Sequence, residues 1–161
     1  MAIALRYAAR SDVGLVRSNN QDSGYCGSNL FVVADGMGGH EAGEVASACV
    51  VDVLSRRLAG RAVSHELVDA AIGEAHREVQ RIEARPGRGA GTTVSGVVLA
   101  EVAGEPYWIV VNLGDSRTYR LARGVLEQIS VDHSEVQELI DAGTVTRAQA
   151  AHHPRRHVVT R

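Results

Sequence analysis

Two consecutive amphipathic helices, set between blocks of apolar strands, constrain the fold of this chain more than any other feature. Apolar residues recur at the spacing of one helical face from Ala42 to Leu54, which predicts a helix over 41–59. A second apolar stripe predicts a helix over 64–84, with Ser64 as its N-cap. Since both stripes need apolar cover, we expect the two helices to pack side by side on one sheet.

Apolar runs on either side of the helix pair predict the strands. The predicted strands cover residues 3–10, 30–34, 92–102, 107–113, 117–122 and 125–130. Only short turns separate the last four, whereas parallel neighbours need a long crossover, so we predict an antiparallel meander. Two short helices are predicted over 134–142 and 146–151. This order favours an α+β fold of layered helices and antiparallel sheet over a doubly wound parallel sheet.

The composition is that of an ordinary single domain with a substantial core. The chain has 161 residues, of which 45% are hydrophobic and 22% are charged, and its net charge is −2. That charge provides no basic face for nucleic acid, and no apolar run approaches the ~18 residues of a membrane span. The first residues hold too short an apolar stretch for a signal peptide. We therefore predict a cytoplasmic protein with no nucleic-acid partner and no membrane segment.

A glycine-rich segment, DGMGGH at 35–40, directly follows a predicted buried strand. A carboxylate at the end of such a strand is costly unless another group pairs with it. A divalent cation would pair with Asp35, and the Gly36 carbonyl would offer a second hard oxygen ligand. The alternative is an ordinary glycine-rich turn in which Asp35 caps the next helix. The spacing alone does not decide between the two.

Two further polar segments contain residues that suit phosphate or metal chemistry. In RSNNQD at 17–22, Arg17 offers a fork that matches phosphate oxygens, and Asp22 could hold a metal-bound water. Read alone, this segment is more typical of a surface loop. In NLGDSR at 112–117, Asp115 would add a carboxylate at the mouth of the same sheet. The simpler interpretation of that segment is a hairpin turn.

Three other features favour structural interpretations. Asp132 or Ser134 could cap the helix predicted after them. The histidines of HHPRRH at 152–157 suggest transition-metal binding, but a solvated basic loop fits their neighbours better. Cys26 and Cys49 form no disulfide framework and are predicted as a loop residue and a helix-core residue.

Taken together, these segments occur in a characteristic order. They are R-x-x-NQD, VADGMGGH, GTT, NLGDSR, DHS, and AG followed by A-x-HP. This ordered set closely resembles the bacterial metal-dependent serine/threonine protein phosphatases, the PPM or type 2C family, over nearly the whole chain. The resemblance implies one domain over 1–161 with an α-β-β-α sandwich, in which antiparallel sheets are covered outside by helices. It also implies phosphoprotein substrates, made by a serine/threonine kinase.

The resemblance implies a two-metal mechanism and assigns roles to five residues. Two Mg²⁺ or Mn²⁺ ions would activate a water that attacks the phosphorus of phosphoserine or phosphothreonine. Asp35 would be the bridging carboxylate and Gly36 would ligate through its carbonyl. Arg17 would bind the substrate phosphate, and Asp22 would orient metal-bound water. Asp115 would belong to the third metal position found in bacterial members.

The sequence departs from the family pattern in three respects. Gln21 stands where many members have Glu, and Met37 stands where animal members have a proposed general-acid His. Residues 134–161 resemble the flap beside the active site. The family continues beyond the flap with further strands and two metal-binding aspartates, so we expect an incomplete domain that is weak or inactive alone. The alternative is a non-catalytic phosphatase-like module that binds phosphoproteins.

Overall fold

The computed structural model describes residues 3–38, 42–83 and 89–161, and within these ranges it contains seven strands and four helices. In chain order they are β1 Asp22–Gly27, β2 Leu30–Gly38, α1 Ala42–Leu58, α2 His65–Glu83, β3 Ala90–Thr92, β4 Val94–Val102, β5 Glu105–Leu113, β6 Tyr119–Ala122, β7 Val125–Gln128, α3 Glu135–Asp141 and α4 Arg147–Ala150. The fold is therefore mixed α+β, as predicted.

The strands form one antiparallel sheet and one separate hairpin. The order in the larger sheet is β1-β2-β4-β5, and β3 pairs with the far end of β2. β6 pairs only with β7, in a two-stranded sheet of its own. The predicted meander is thus correct for the pairs β4–β5 and β6–β7 and wrong for the pairing of β5 with β6. The chain leaves the large sheet at Gly114, whose φ of +95° turns it away from the direction of β5.

α1 and α2 pack side by side on one face of the large sheet, which confirms the predicted arrangement. Alternate residues of the central strands point towards the helices, so Leu30, Val32 and Val98 are almost fully buried. Together with Leu54 of α1 and Val68 of α2 they belong to one continuous core. The helical periodicity in the sequence therefore matches most of the buried faces, but Val45 of the predicted α1 stripe is exposed and Cys49 is only half-buried.

The prediction of a strand over 3–10 was wrong. Residues 3–10 form no strand, and they are mostly exposed. The position beside β2 is taken instead by β1, which the sequence did not predict. β1 reads DSGYCG, and its Asp and two Gly are poor strand formers. Six paired positions along β2 nevertheless hold it in extended form, so the tertiary context overrides the local propensity.

The predicted helix starts agree with the capping groups. The Leu67 N–H donates to Ser64 Oγ at 3.3 Å, which confirms Ser64 as the cap of α2. Ser134 Oγ accepts from the Gln137 N–H at 3.3 Å at the start of α3. The predicted stop of α2 near Pro86, and Gly39 with His40, lie outside the described residues. Within the described ranges no helix has both the length and the apolar character needed to cross a bilayer.

Candidate metal centre

Two carboxylates face each other across β1 and β2, at the end of the large sheet. Asp22 and Asp35 are direct partners in the antiparallel register, so their side chains lie on the same face. This face is opposite the one covered by α1 and α2, and both residues are open to solvent. They line a cleft of about 880 Å³ together with Arg117. The fold therefore brings together two site residues that are 13 positions apart in the sequence.

The charges of three other predicted residues affect the pKa of Asp35. The pKa of Asp35 is raised, first by partial burial and then by the negative charge of Asp22 and a hydrogen bond between the two carboxyl groups. The charge of Asp115 raises the pKa further, while the charge of Arg17 lowers it. Asp22, Asp115 and Arg17, which come from two other segments of the sequence, thus all contribute to the electrostatic environment of Asp35.

The backbone of Asp35 is fixed by the two threonines of the GTT motif. The Asp35 N–H donates to Thr93 Oγ1 at 3.1 Å, and the Thr93 N–H donates to the Asp35 carbonyl at 2.9 Å. The Thr92 hydroxyl also donates to that carbonyl, at 3.0 Å. Asp35 is therefore an internal residue of β2, and the alternative in which it caps the following helix is wrong. Sequence reasoning identified GTT as a motif but assigned it no part in holding Asp35.

Gly36 lies where three backbone segments meet. Its N–H donates to the Gln21 carbonyl at 3.2 Å, and the residue is buried. A Cβ at this position would lie 2.2 Å from the Gly43 carbonyl oxygen and 2.5 Å from that of Gln21. Only glycine allows β2 and the first turn of α1 to approach this closely. The close approach keeps the segment after Asp35 against the helix.

Asp115 lies in a loop between β5 and β6 and not in a hairpin turn, because these two strands do not pair. The loop is tied to neighbouring elements on two sides. Thr93 Oγ1 and Ser116 Oγ are 2.6 Å apart, which connects the loop to the residue that holds Asp35. The Gly114 carbonyl accepts from the His133 N–H at 2.8 Å. Asp115 is therefore held at a defined place near Asp35.

An ion pair between Arg117 and Asp132 connects the Asp115 loop to the segment that precedes α3. Both carboxylate oxygens of Asp132 accept from Arg117 Nε, at 2.9 and 3.0 Å, and Gln128 donates to the same carboxylate at 2.9 Å. Asp132 is buried, and the pair raises the pKa of the Arg117 guanidinium. Of the two predicted caps, Ser134 is correct and Asp132 is not. No local pattern indicated this pair, whose partners are 15 residues apart.

Arg17 is exposed and forms no hydrogen bond or ion pair within the described ranges. Its charge nevertheless lowers the pKa of Asp35, and its donors are available to a ligand. By contrast, the ring of His153 in the 152–157 segment accepts from the Arg155 N–H at 3.2 Å, within a turn. Cys49 lies half-buried on α1, and burial raises the pKa of its thiol, which does not favour a nucleophile.

The donor set fits a hard divalent cation. Asp22 and Asp35 offer carboxylate oxygens whose mutual repulsion a cation would relieve, and Mg²⁺ is commonly bound through one or two carboxylates with water completing the shell. Among the described residues, no group of three or more His, Cys, Asp or Glu side chains is placed to hold a metal. The residues present therefore suit a partly hydrated ion and not a cage made of protein ligands alone.

The fold and the site define a class of protein: an α+β domain in which two aspartates face each other at the end of an antiparallel sheet. The family model described as protein phosphatase 2C matches residues 16–161. The chain belongs to the protein phosphatase 2C family.

Individual relatives support this assignment. The chain is 42% identical to the serine/threonine protein phosphatase PstP of Mycobacterium tuberculosis, over all of this chain and 31% of that protein. It is 33% identical to the serine/threonine phosphatase stp of Listeria monocytogenes, over 94% of this chain and 64% of that protein. The chain thus spans about a third of the mycobacterial relative and somewhat less than two thirds of the listerial one.

Solved structures of relatives have the same fold. A crystal structure of M. tuberculosis PstP/Ppp superposes with a TM-score of 0.87 at 42% identity, covering 97% of this chain and 66% of that one. The PstP catalytic domain in complex with two manganese ions gives a TM-score of 0.79 at 42% identity, covering 90% and 63%.

Proposed function

We propose that this chain carries the phosphate-binding and first metal-binding elements of a metal-dependent protein serine/threonine phosphatase. The observation that carries the proposal is the cross-strand pair of Asp22 and Asp35, with Arg17 and Asp115 acting on the same carboxylate. Convergent carboxylates beside an unpaired arginine suit a cation and a phosphate at one place. A module that only bound phosphoproteins would need the arginine but not the carboxylates.

Each residue has a distinct role in this proposal. The Asp35 carboxylate and the Gly36 carbonyl would hold Mg²⁺ or Mn²⁺, and Asp22 would orient water at the site. When bound, such ions neutralise developing charge and supply hydroxide at neutral pH. Arg17 binds two oxygens of the substrate phosphate through its guanidinium fork. Asp115 offers a further carboxylate for an additional ion.

Thr93 and Gly36 serve the same reaction indirectly. Thr93 fixes the Asp35 backbone from both its N–H and its carbonyl. The tight packing at Gly36 prevents the end of β2 from moving away from α1. Displacing a catalytic group by about 1 Å can lower the reaction rate ~100-fold, so this rigidity matters for turnover.

We infer that residues 1–161 alone hydrolyse phosphoproteins poorly. A two-metal hydrolase needs both ions fixed, and the described residues place only Asp22 and Asp35 directly together. The alternative, a phosphatase-like module that binds phosphoproteins without turnover, is favoured by this same shortage of ligands. A serine/threonine kinase that supplies the substrates, and a cytoplasmic location, stay predictions from the sequence.

Manganese binding and turnover test the proposal separately. We expect isothermal titration with Mn²⁺ to detect a weak site in the 161-residue chain that Asp35→Asn abolishes and Asp69→Asn, an exposed change on α2, leaves intact. Binding of a phosphothreonine peptide should weaken in Arg17→Ala but not in Arg77→Ala. Retention of Mn²⁺ binding in Asp35→Asn would contradict the assigned ligand. Turnover within tenfold of a complete relative would show that the essential ligands are all present in this chain.

A further inference from the structure

A second cavity, of about 770 Å³, lies between the Asp115 loop and the helices of the flap. We name it the flap cavity. Its wall includes Asp115, Arg117, Asp132, Arg147, Arg156 and His157. Arg117 lines both this cavity and the cleft that contains Asp22 and Asp35, so the flap cavity adjoins the candidate metal centre. A substrate bound with its phosphate near Asp35 would therefore have neighbouring residues within reach of this cavity.

Most polar groups in the wall of the flap cavity already form hydrogen bonds or ion pairs with neighbouring protein groups. Arg117 and Asp132 neutralise each other, and Gln128 donates to Asp132. The Ser130 hydroxyl accepts from the Thr118 N–H, and Ser134 caps α3. These groups form a preorganised scaffold and are not available to a ligand.

Two arginines of the wall lack a carboxylate partner in the described part of the chain. Arg147, in the first turn of α4, forms no hydrogen bond or ion pair there. Arg156 makes one long hydrogen bond, of 3.4 Å, to the His153 carbonyl. By contrast, the neighbouring Arg155 pairs with Glu135 and points its charge elsewhere. The cavity thus has two uncompensated positive charges against the single negative charge of Asp115.

We propose that the flap cavity is a subsite for a second anionic group of the substrate, with Arg147 and Arg156 as its ligands. The group is a carboxylate or a second phosphate on a residue close to the phosphorylated one. The inference rests on the proposed function, since the phosphorylated residue itself is placed by Arg17 and Asp35. A cation held at Asp115 would cancel the only unpaired negative charge of the wall and strengthen the preference for anions.

Fluorescence anisotropy with labelled phosphothreonine peptides tests the subsite on the whole chain. Four peptides differ only in the flanking residues: alanine, glutamate, lysine or a second phosphothreonine. Each is titrated in Mn²⁺ and again in chelator. We expect the glutamate and doubly phosphorylated peptides to bind about threefold to tenfold more tightly than the alanine peptide. The lysine peptide should bind more weakly, and the preference should decrease at high salt.

Substitutions test whether the preference for acidic flanking residues arises in the flap cavity. Arg147→Gln and Arg156→Gln together should abolish the preference for acidic flanks while leaving the affinity for the alanine peptide unchanged. Arg77→Gln and Arg123→Gln together, at exposed positions of α2 and of the turn between β6 and β7, remove the same two charges outside the cavity and should keep the preference. Thermal melting checks that the variants fold. A preference confined to the doubly phosphorylated peptide identifies phosphate as the ligand, whereas an equal preference for both peptides identifies the shared negative charge.

Other outcomes overturn the inference and distinguish it from the proposed function. If the alanine, glutamate and lysine peptides bind equally and Arg17→Ala weakens all of them, the phosphate site stands and the subsite fails. If an unphosphorylated glutamate peptide binds as tightly as its phosphorylated form, and the double variant abolishes both, the subsite stands and the proposed function fails. A preference that persists in the double variant, or no binding by any peptide, refutes the subsite.

Discussion

Replacing Gly36 by alanine tests whether the close approach of β2 and α1 holds the site together. The added Cβ would lie 2.2 Å from the Gly43 carbonyl oxygen and 2.5 Å from the Gln21 carbonyl oxygen. Both are backbone atoms, so no side chain can rotate to make room. To reach even 3.0 Å from the nearest atom, the segments must separate by about 0.8 Å.

The expected cost follows from this geometry. Overpacking a well-packed core costs roughly 1–3 kcal/mol, and clashes against fixed backbone belong at the upper end. We therefore expect Gly36→Ala to lower the free energy of unfolding by about 3 kcal/mol. For a domain of this length that corresponds to a decrease in Tm of roughly 6–12 °C. Chemical and thermal denaturation followed by circular dichroism measure both quantities.

Two matched glycine variants separate the steric effect from backbone effects. At Gly73 on α2 a Cβ would lie 3.4 Å from the mobile end of Arg77, so Gly73→Ala should stabilise the protein by about 0.5–1 kcal/mol. Gly14 has a φ of +76° and nothing within 4 Å, so Gly14→Ala should show backbone strain alone, of about 1 kcal/mol. A Gly36→Ala protein within 0.5 kcal/mol of the wild type would refute this account of the packing.

Two further predictions concern the flap and the carboxylate pair. Ser134→Ala should lower the free energy of unfolding by about 1 kcal/mol and speed amide hydrogen exchange in α3. Unchanged exchange would mean that the Ser134 cap does not stabilise α3. Because the pKa of Asp35 is raised, the folded state holds this proton more tightly than the unfolded state, and the contribution of Asp35 to stability is lost as the pH rises through the folded pKa. In the absence of metal, Asp35→Asn should therefore raise Tm at pH 7. It should not raise Tm at a pH below 3.8, the ordinary pKa of an aspartate. An equal Tm difference between variant and wild type at the two pH values would contradict this prediction.

The helices were predictable from the sequence because their signal is local. The apolar stripe of α1 and the cap at Ser64 each depend on residues within a few turns of one another. The strands with long apolar runs, such as β2 and β5, were found for the same reason. The hairpin of β6 and β7 was located, but its separation from β5 was not. That separation depends on the turn at Gly114 and on its contacts with His133 and Thr93.

The sequence motifs identified the residues of the candidate site. They did not predict the hydrogen bonds and ion pairs that hold those residues in place. Asp35 and Asp115 were recognised because each follows an apolar strand. Their connection through Thr93 and Ser116 joins residues 23 positions apart, and no periodic pattern records such a contact. The Arg117–Asp132 pair was missed for the same reason. A sequence indicates which groups are chemically suited to a site, whereas the supporting hydrogen bonds appear only once the chain is folded.

The position of Asp22 shows how register converts a poor strand sequence into part of a site. Side chains alternate along a strand, so a slip of one residue in β1 would turn Asp22 towards the helices. Ser47 of α1 prevents that slip. It is completely buried, its hydroxyl donates to the Gln21 carbonyl at 2.6 Å, and it lies 3.0 Å from the Ser23 hydroxyl. The helix thus holds the residues on both sides of Asp22 on the inner face. Asp22 must then point outward, opposite Asp35, although nothing in its own neighbourhood favours a strand.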